Sequence, residues 1–83
     1  MINDEKKILK IIEALVFASD KAIHITEIKK KIPECDKIKE YLLKLKVIYK
    51  DKGINLKESN DQWYFETASD VSEYLKDHQI IRK

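Results

Sequence analysis

Apolar residues recur along the first third of the chain at the three-and-four spacing of a helix. Ile8, Leu9, Ile11, Ile12, Leu15, Val16 and Phe17 set that period. Asn3 or Asp4 supplies an N-cap oxygen, and Asp4 and Glu5 place negative charge at the positive end of the helix dipole. A first helix is therefore expected from about Asp4 to Ala18. The period stops at Ser19-Asp20. Ala22 to Ile25 then alternates as a short strand, with His24 on the solvent side and Ile23 and Ile25 opposite. A second helix is expected over Thr26 to Ile32, with Ile28 and Ile32 one turn apart. Pro33 ends it, because the residue before a proline avoids the α region.

A third helix is expected from Asp36, as N-cap, to about Lys50. Ile38, Tyr41, Leu42, Leu45, Ile48 and Tyr49 keep its period. Gly53, the single glycine, is expected to close that helix with a positive φ. INLKES and WYFET both alternate, and Asn60-Asp61 between them tolerate the left-handed conformations of a tight turn. This reads as a β-hairpin with Ile54, Leu56, Trp63 and Phe65 on its apolar face. A last helix from Ser69 or Asp70 to His78 would carry Val71, Tyr74 and Leu75, with Thr67 and Asp70 as a capping box. The expected fold class is α+β, mainly α: a winged helix-turn-helix of three helices, a β-hairpin wing and a short C-terminal helix. Leu15, Phe17, Ile28, Leu42, Leu45, Leu56, Trp63 and Phe65 are expected to form its core.

Composition narrows what such a domain does. Eighty-three residues fit one domain, and 43% hydrophobic with 39% charged residues suits a folded chain. There is no run of eighteen apolar residues, so no transmembrane helix is expected. MINDEKK lacks the apolar stretch of a signal peptide, and one cysteine makes no internal disulfide, so a cytoplasmic location is expected. Two histidines far apart and one cysteine make a zinc site unexpected, and no glycine-rich phosphate loop or paired-carboxylate motif occurs. Neither an enzyme nor a cofactor is expected.

The net charge of +2 is unevenly spread: residues 27–52 carry nine lysines against five acids, while residues 53–83 are net acidic. The basic excess falls on the second and third helices, as it would in a DNA-binding regulator whose third helix reads a groove. Lys37, Lys39, Lys44 and Lys46 would then meet phosphates. Against that, the one arginine is Arg82, Asp36 and Glu40 open the third helix, and the wing tip Glu58-Ser59-Asn60-Asp61 is acidic. Arginine on guanine is the commonest specific base contact. No sequence-specific DNA binding is expected.

The first helix carries more apolar surface than a surface helix needs: roughly half its circumference, against a stripe of ~100°. Ile8, Ile11, Ile12 and Leu15 suffice for the core. A self-association surface including Leu9, Ile12, Val16 and Phe17 is expected on the remaining flank. The alternative is that the last helix folds back over it.

The order of elements, together with EALVFASDKAIHITEI, the third helix through Leu42, Leu45 and Tyr49, KDKGINLKES and WYFET, resembles the N-terminal domain of the segregation and condensation protein B (ScpB) family. The resemblance runs from about Lys7 to Leu75. The family's wing turn usually holds glycine, where this chain has Asn60-Asp61-Gln62. The resemblance implies a non-enzymatic subunit of a bacterial SMC–kleisin condensin, supporting chromosome condensation and segregation during cell division. Such proteins homodimerise through this domain and bind the kleisin, segregation and condensation protein A, mainly through a second winged helix. Residues 1–83 would then be a single domain matching the N-terminal half of that two-domain protein, associated with the nucleoid through the complex.

Overall fold

A computed structural model describes residues 4–75. Helix α1 (Glu5–Ala18) leads into strand β1 (Ile23–His24), helices α2 (Ile25–Lys31) and α3 (Ile38–Ile48), the hairpin β2 (Ile54–Ser59) and β3 (Gln62–Thr67), and a 3-10 turn at Ser72–Leu75. The three strands form an antiparallel sheet in the order β1-β3-β2. This is the expected winged helix-turn-helix.

Local chemistry sets the boundaries. The Asp4 carboxylate accepts from the Lys6 amide at 3.0 Å and caps α1. Ser19 closes the other end, its hydroxyl donating to the Leu15 carbonyl at 2.8 Å. His24 does not sit as an idle surface residue: its Nδ1 accepts from the Thr26 amide at 3.1 Å and caps α2. The Lys29 ammonium donates to the carbonyls of Pro33 (2.9 Å) and Cys35 (2.7 Å), tying the α2–α3 turn to the helix before it. Helix α3 starts at Ile38, the first residue of its apolar period; Lys37 is the N-cap residue, without a side-chain cap, so Asp36 does not cap it as expected.

Two expectations about the wing resolve in opposite ways. Asn60 and Asp61 have φ of 53° and 64°, and Ser59 pairs with Gln62 across them. Two positive φ values in a two-residue loop make a type I′ turn, whose twist matches the strands. Asparagine and aspartate thus do the work of glycine, and Glu58 Oε2 accepts the Asp61 amide at 2.9 Å. Gly53, by contrast, has no positive φ, and a Cβ there would meet nothing within 4 Å. The reason lies in Asn55, whose side-chain amide donates to the carbonyls of Tyr49 (2.8 Å) and Lys50 (3.3 Å). The end of α3 is closed by that side chain instead of a left-handed glycine.

The core draws one fully buried large side chain from each main element: Ile12, Ile28, Leu42, Leu56 and Trp63. Ile8, Val16, Ile32, Cys35, Ile38 and Leu45 complete it. Leu15 and Phe65 pack against this cluster but remain half-buried. Phe17 does not join it; more than half of that residue is exposed. On α1 the inward stripe is Ile8, Ile12 and Val16, at i, i+4 and i+8, so Phe17, one residue past Val16, turns outward. The expected C-terminal helix is reduced, within the described residues, to the 3-10 turn, and its remainder to His78 lies outside them. Thr67 and Asp70 do not frame it. Ser72 donates to the Ser69 carbonyl at 3.0 Å instead.

Trp63 pins the wing to the helices, pairing with Ile23 of β1 at the backbone. Its indole N–H is buried without an acceptor among the described residues. Trp63→Ala is expected to cost about 3–5 kcal/mol. Trp63→Phe should cost clearly less, because it also removes an unpaired donor whose burial costs about 1–3 kcal/mol. Urea unfolding of both variants measures the difference. At the wing tip, Asn60→Ala should cost up to about 1 kcal/mol, because alanine lacks the short polar side chain that makes the left-handed conformation tolerable, while Asn60→Gly, which removes the Cβ from that region, is neutral or stabilising in the same assay.

Candidate protein-interaction surface

Among the described residues no group of three or more His, Cys, Asp or Glu side chains could hold a metal, and no helix is long and apolar enough to cross a membrane. Cys35 is a buried core thiol. Among the described residues, four of the exposed large apolar side chains gather at two recesses.

The first lies beside α1. Phe17 (54% exposed) and Ile54 (37%) line a shallow recess with Ala14, Tyr49 and Phe65. The Tyr49 and Phe65 rings meet edge to face, 5.0 Å between centroids. Lys10 and Glu13 stand at its border, so its charges balance. The Glu13 carboxylate accepts from the Tyr49 hydroxyl, joining α1 to the end of α3. That bond, reinforced by burial and the carboxylate's charge, raises the phenol from 10.0 to about 12.

The second lies along the outer side of α3. Leu43 (46% exposed) and Val47 (71%) sit one turn apart and face β2, with Lys46, Lys50 and Lys57 around them. A reading helix would present this side to a DNA groove. Lys44, one of the lysines considered for phosphates, is instead held by Glu5 of α1, which raises its pKa, and stands 5.5 Å over the Tyr41 ring.

These positions revise the expected self-association residues. Ile12 and Val16 belong to the chain's own core, enclosed by α3 and the sheet, and have no surface to offer a partner. Leu9 is half-buried against the same core. Of the four, Phe17 is the exposed one. Among the described residues Phe17 stays more than half exposed and Tyr74, the largest side chain of the last turn, is 76% exposed; the rest of the helix that the alternative invoked lies outside them. Sequence reasoning missed Ile54, Leu43 and Val47 as surface residues. Leu43 and Val47 lie off the period of α3, on the side away from Leu42 and Leu45, while Ile48, which is on that period, is also half exposed.

A winged-helix domain whose third helix shows leucine and valine outward, and whose wing is acidic at its tip, has the character of a protein-interaction module. The comparisons give the family. Residues 10–82 match Segregation and condensation complex subunit ScpB, and the chain belongs to that family. Three crystal structures share its fold. ScpB from Mycobacterium tuberculosis superimposes with a TM-score of 0.83 at 16% identity, over 92% of this chain and 49% of that one. A dimer of the ScpB N-terminal domain complexed with a ScpA peptide gives 0.80 at 23% identity, over 99% of both chains. A conserved hypothetical protein from Chlorobium tepidum gives 0.75 at 14%, over 87% of this chain and 48% of that one. The chain thus spans about half the length of two of the three. No curated protein sequence matches it.

The Tyr49–Glu13 bond has a pH signature. The phenol's folded pKa is raised, so its contribution to stability is complete below pH 10 and is lost as the pH rises toward 12. Tyrosinate absorbance should show Tyr49 ionising after an ordinary tyrosine, and Glu13→Gln should bring it back toward 10. Tyr49→Phe should remove that tyrosine's share of the alkaline loss in denaturation midpoint.

Proposed function

We propose that this chain is a non-enzymatic subunit of a bacterial SMC–kleisin condensin, acting in chromosome condensation and segregation by pairing with a second copy and binding the kleisin subunit. The observation that carries this reading is the apolar surface left over after a small core has closed. Phe17 and Ile54 lie exposed beside half-buried Phe65 and Tyr49, an arrangement that marks interfaces more often than free surface. The balanced Lys10 and Glu13 border lets that patch meet its own copy across a two-fold axis without piling up like charge. Family membership supports the reading, as does the related N-terminal domain that forms a dimer with a ScpA peptide. On this reading residues 1–83 are one winged-helix domain, equivalent to the N-terminal half of a two-domain relative. The protein would work in the cytoplasm at the nucleoid, without a cofactor.

Two neighbouring substitutions test the pairing. Phe17→Glu puts a charge on the exposed patch and should turn dimers into folded monomers in sedimentation equilibrium. Val16→Glu buries a charge in the core and should unfold the domain, seen as loss of its cooperative melt. A wild-type chain that sediments as a monomer up to high concentration rejects self-association. Co-purification with the ScpA subunit of the same organism tests the kleisin contact.

A further inference from the structure

The open groove between α3 and the edge strand β2 encloses about 520 Å³. Leu43 and Val47 form one side of it, and buried Leu56 its floor. Lys46 and Lys50, one turn apart on α3, and Lys57 on β2 give it a positive border on both sides. No acid lines it, and none of these three lysines has an ion pair among the described residues, whereas Lys29, Lys30 and Lys44 do. Exposed apolar side chains framed by unpaired cations describe the complement of a particular ligand: a peptide segment with apolar side chains for the floor and carboxylates for both edges.

A second copy of this chain fits the groove poorly, because a two-fold contact would bring two sets of three lysines together. Nucleic acid fits poorly too, since Val47 and Leu43 occupy the place where a duplex would press its phosphates. The aromatic patch around Phe17 is made from other residues and has balanced charge. The two faces therefore suit different partners. We infer that the α3–β2 groove is the seat of an acidic, apolar peptide segment of the kleisin subunit, leaving the Phe17 patch for self-association. This rests on the function proposed above and assigns a surface to one of its two contacts.

The test uses the full chain and the ScpA subunit of the same organism, titrated by calorimetry at low and at physiological salt. Two variants are compared with wild type: Val47→Glu, and Lys46→Glu with Lys50→Glu. All three sites are exposed, so both variants should keep the wild-type melt and the wild-type sedimentation mass. Each should lose about tenfold or more in affinity for ScpA, and the wild-type affinity should fall with added salt. ScpA binding undiminished in both variants overturns the groove assignment while leaving the kleisin contact standing. Wild type that fails to bind ScpA ends the functional reading and the assignment with it. A Val47→Glu chain that becomes monomeric makes the groove a self-contact. Loss of duplex DNA binding with ScpA binding intact makes it a nucleic-acid face. Either of these outcomes also overturns the inference.

Discussion

The whole domain depends on five side chains meeting at one point. Ile12, Ile28, Leu42, Leu56 and Trp63 come from α1, α2, α3, β2 and β3, one from each, and all are essentially withdrawn from water. A chain of this size has little apolar volume to divide, so no element is stable on its own. The helices hold the wing, and the wing, through Trp63, closes the helices. Strand β1 adds only two residues, yet it fixes where the sheet lies by pairing Ile23 with Trp63, and the next residue, Ile25 at the start of α2, adds a bond from its amide to the Asp61 carbonyl at 2.9 Å.

The surface follows from that geometry. Because α1 spends Ile8, Ile12 and Val16 on the core, its next apolar residue, Phe17, is turned out. Because α3 spends Ile38, Leu42 and Leu45, Leu43 and Val47 are left toward the sheet's open edge. Each helix thus has one face for the fold and one left over. The charges differ around the two leftovers: Lys10 and Glu13 cancel at one, while Lys46, Lys50 and Lys57 add at the other. The domain thus shows a neutral apolar patch and a cationic apolar groove, two surfaces of unlike chemistry.

Polar side chains shape the ends of elements more than backbone freedom does. His24 caps α2, Asn55 closes α3, Lys29 binds the carbonyls between them, and Asn60 and Asp61 carry the turn. This explains how the chain turns between its elements with one glycine. It also explains why Gly53, the obvious punctuation mark in the sequence, is conformationally ordinary.

The sequence by itself determined the kinds of element and their order. Helical and alternating periods are local properties, and a two-residue Asn-Asp loop between alternating runs has few solutions, so three helices and a hairpin were legible, as was the core role of Ile28, Leu42, Leu45, Leu56 and Trp63. Which way each apolar residue faces at the margins was not. On α1 the apolar arc is wide enough that several stripes of equal hydrophobicity are available, and periodicity cannot rank them. Only the docking of α1 against α3 and β3 selected Ile8–Ile12–Val16, and in doing so moved Ile12 and Val16 from an expected interface into the core and Phe17 from the expected core to the surface. The same docking left Leu43 and Val47 outside. Burial is a property of the neighbour as much as of the residue, and the neighbour is set by tertiary structure.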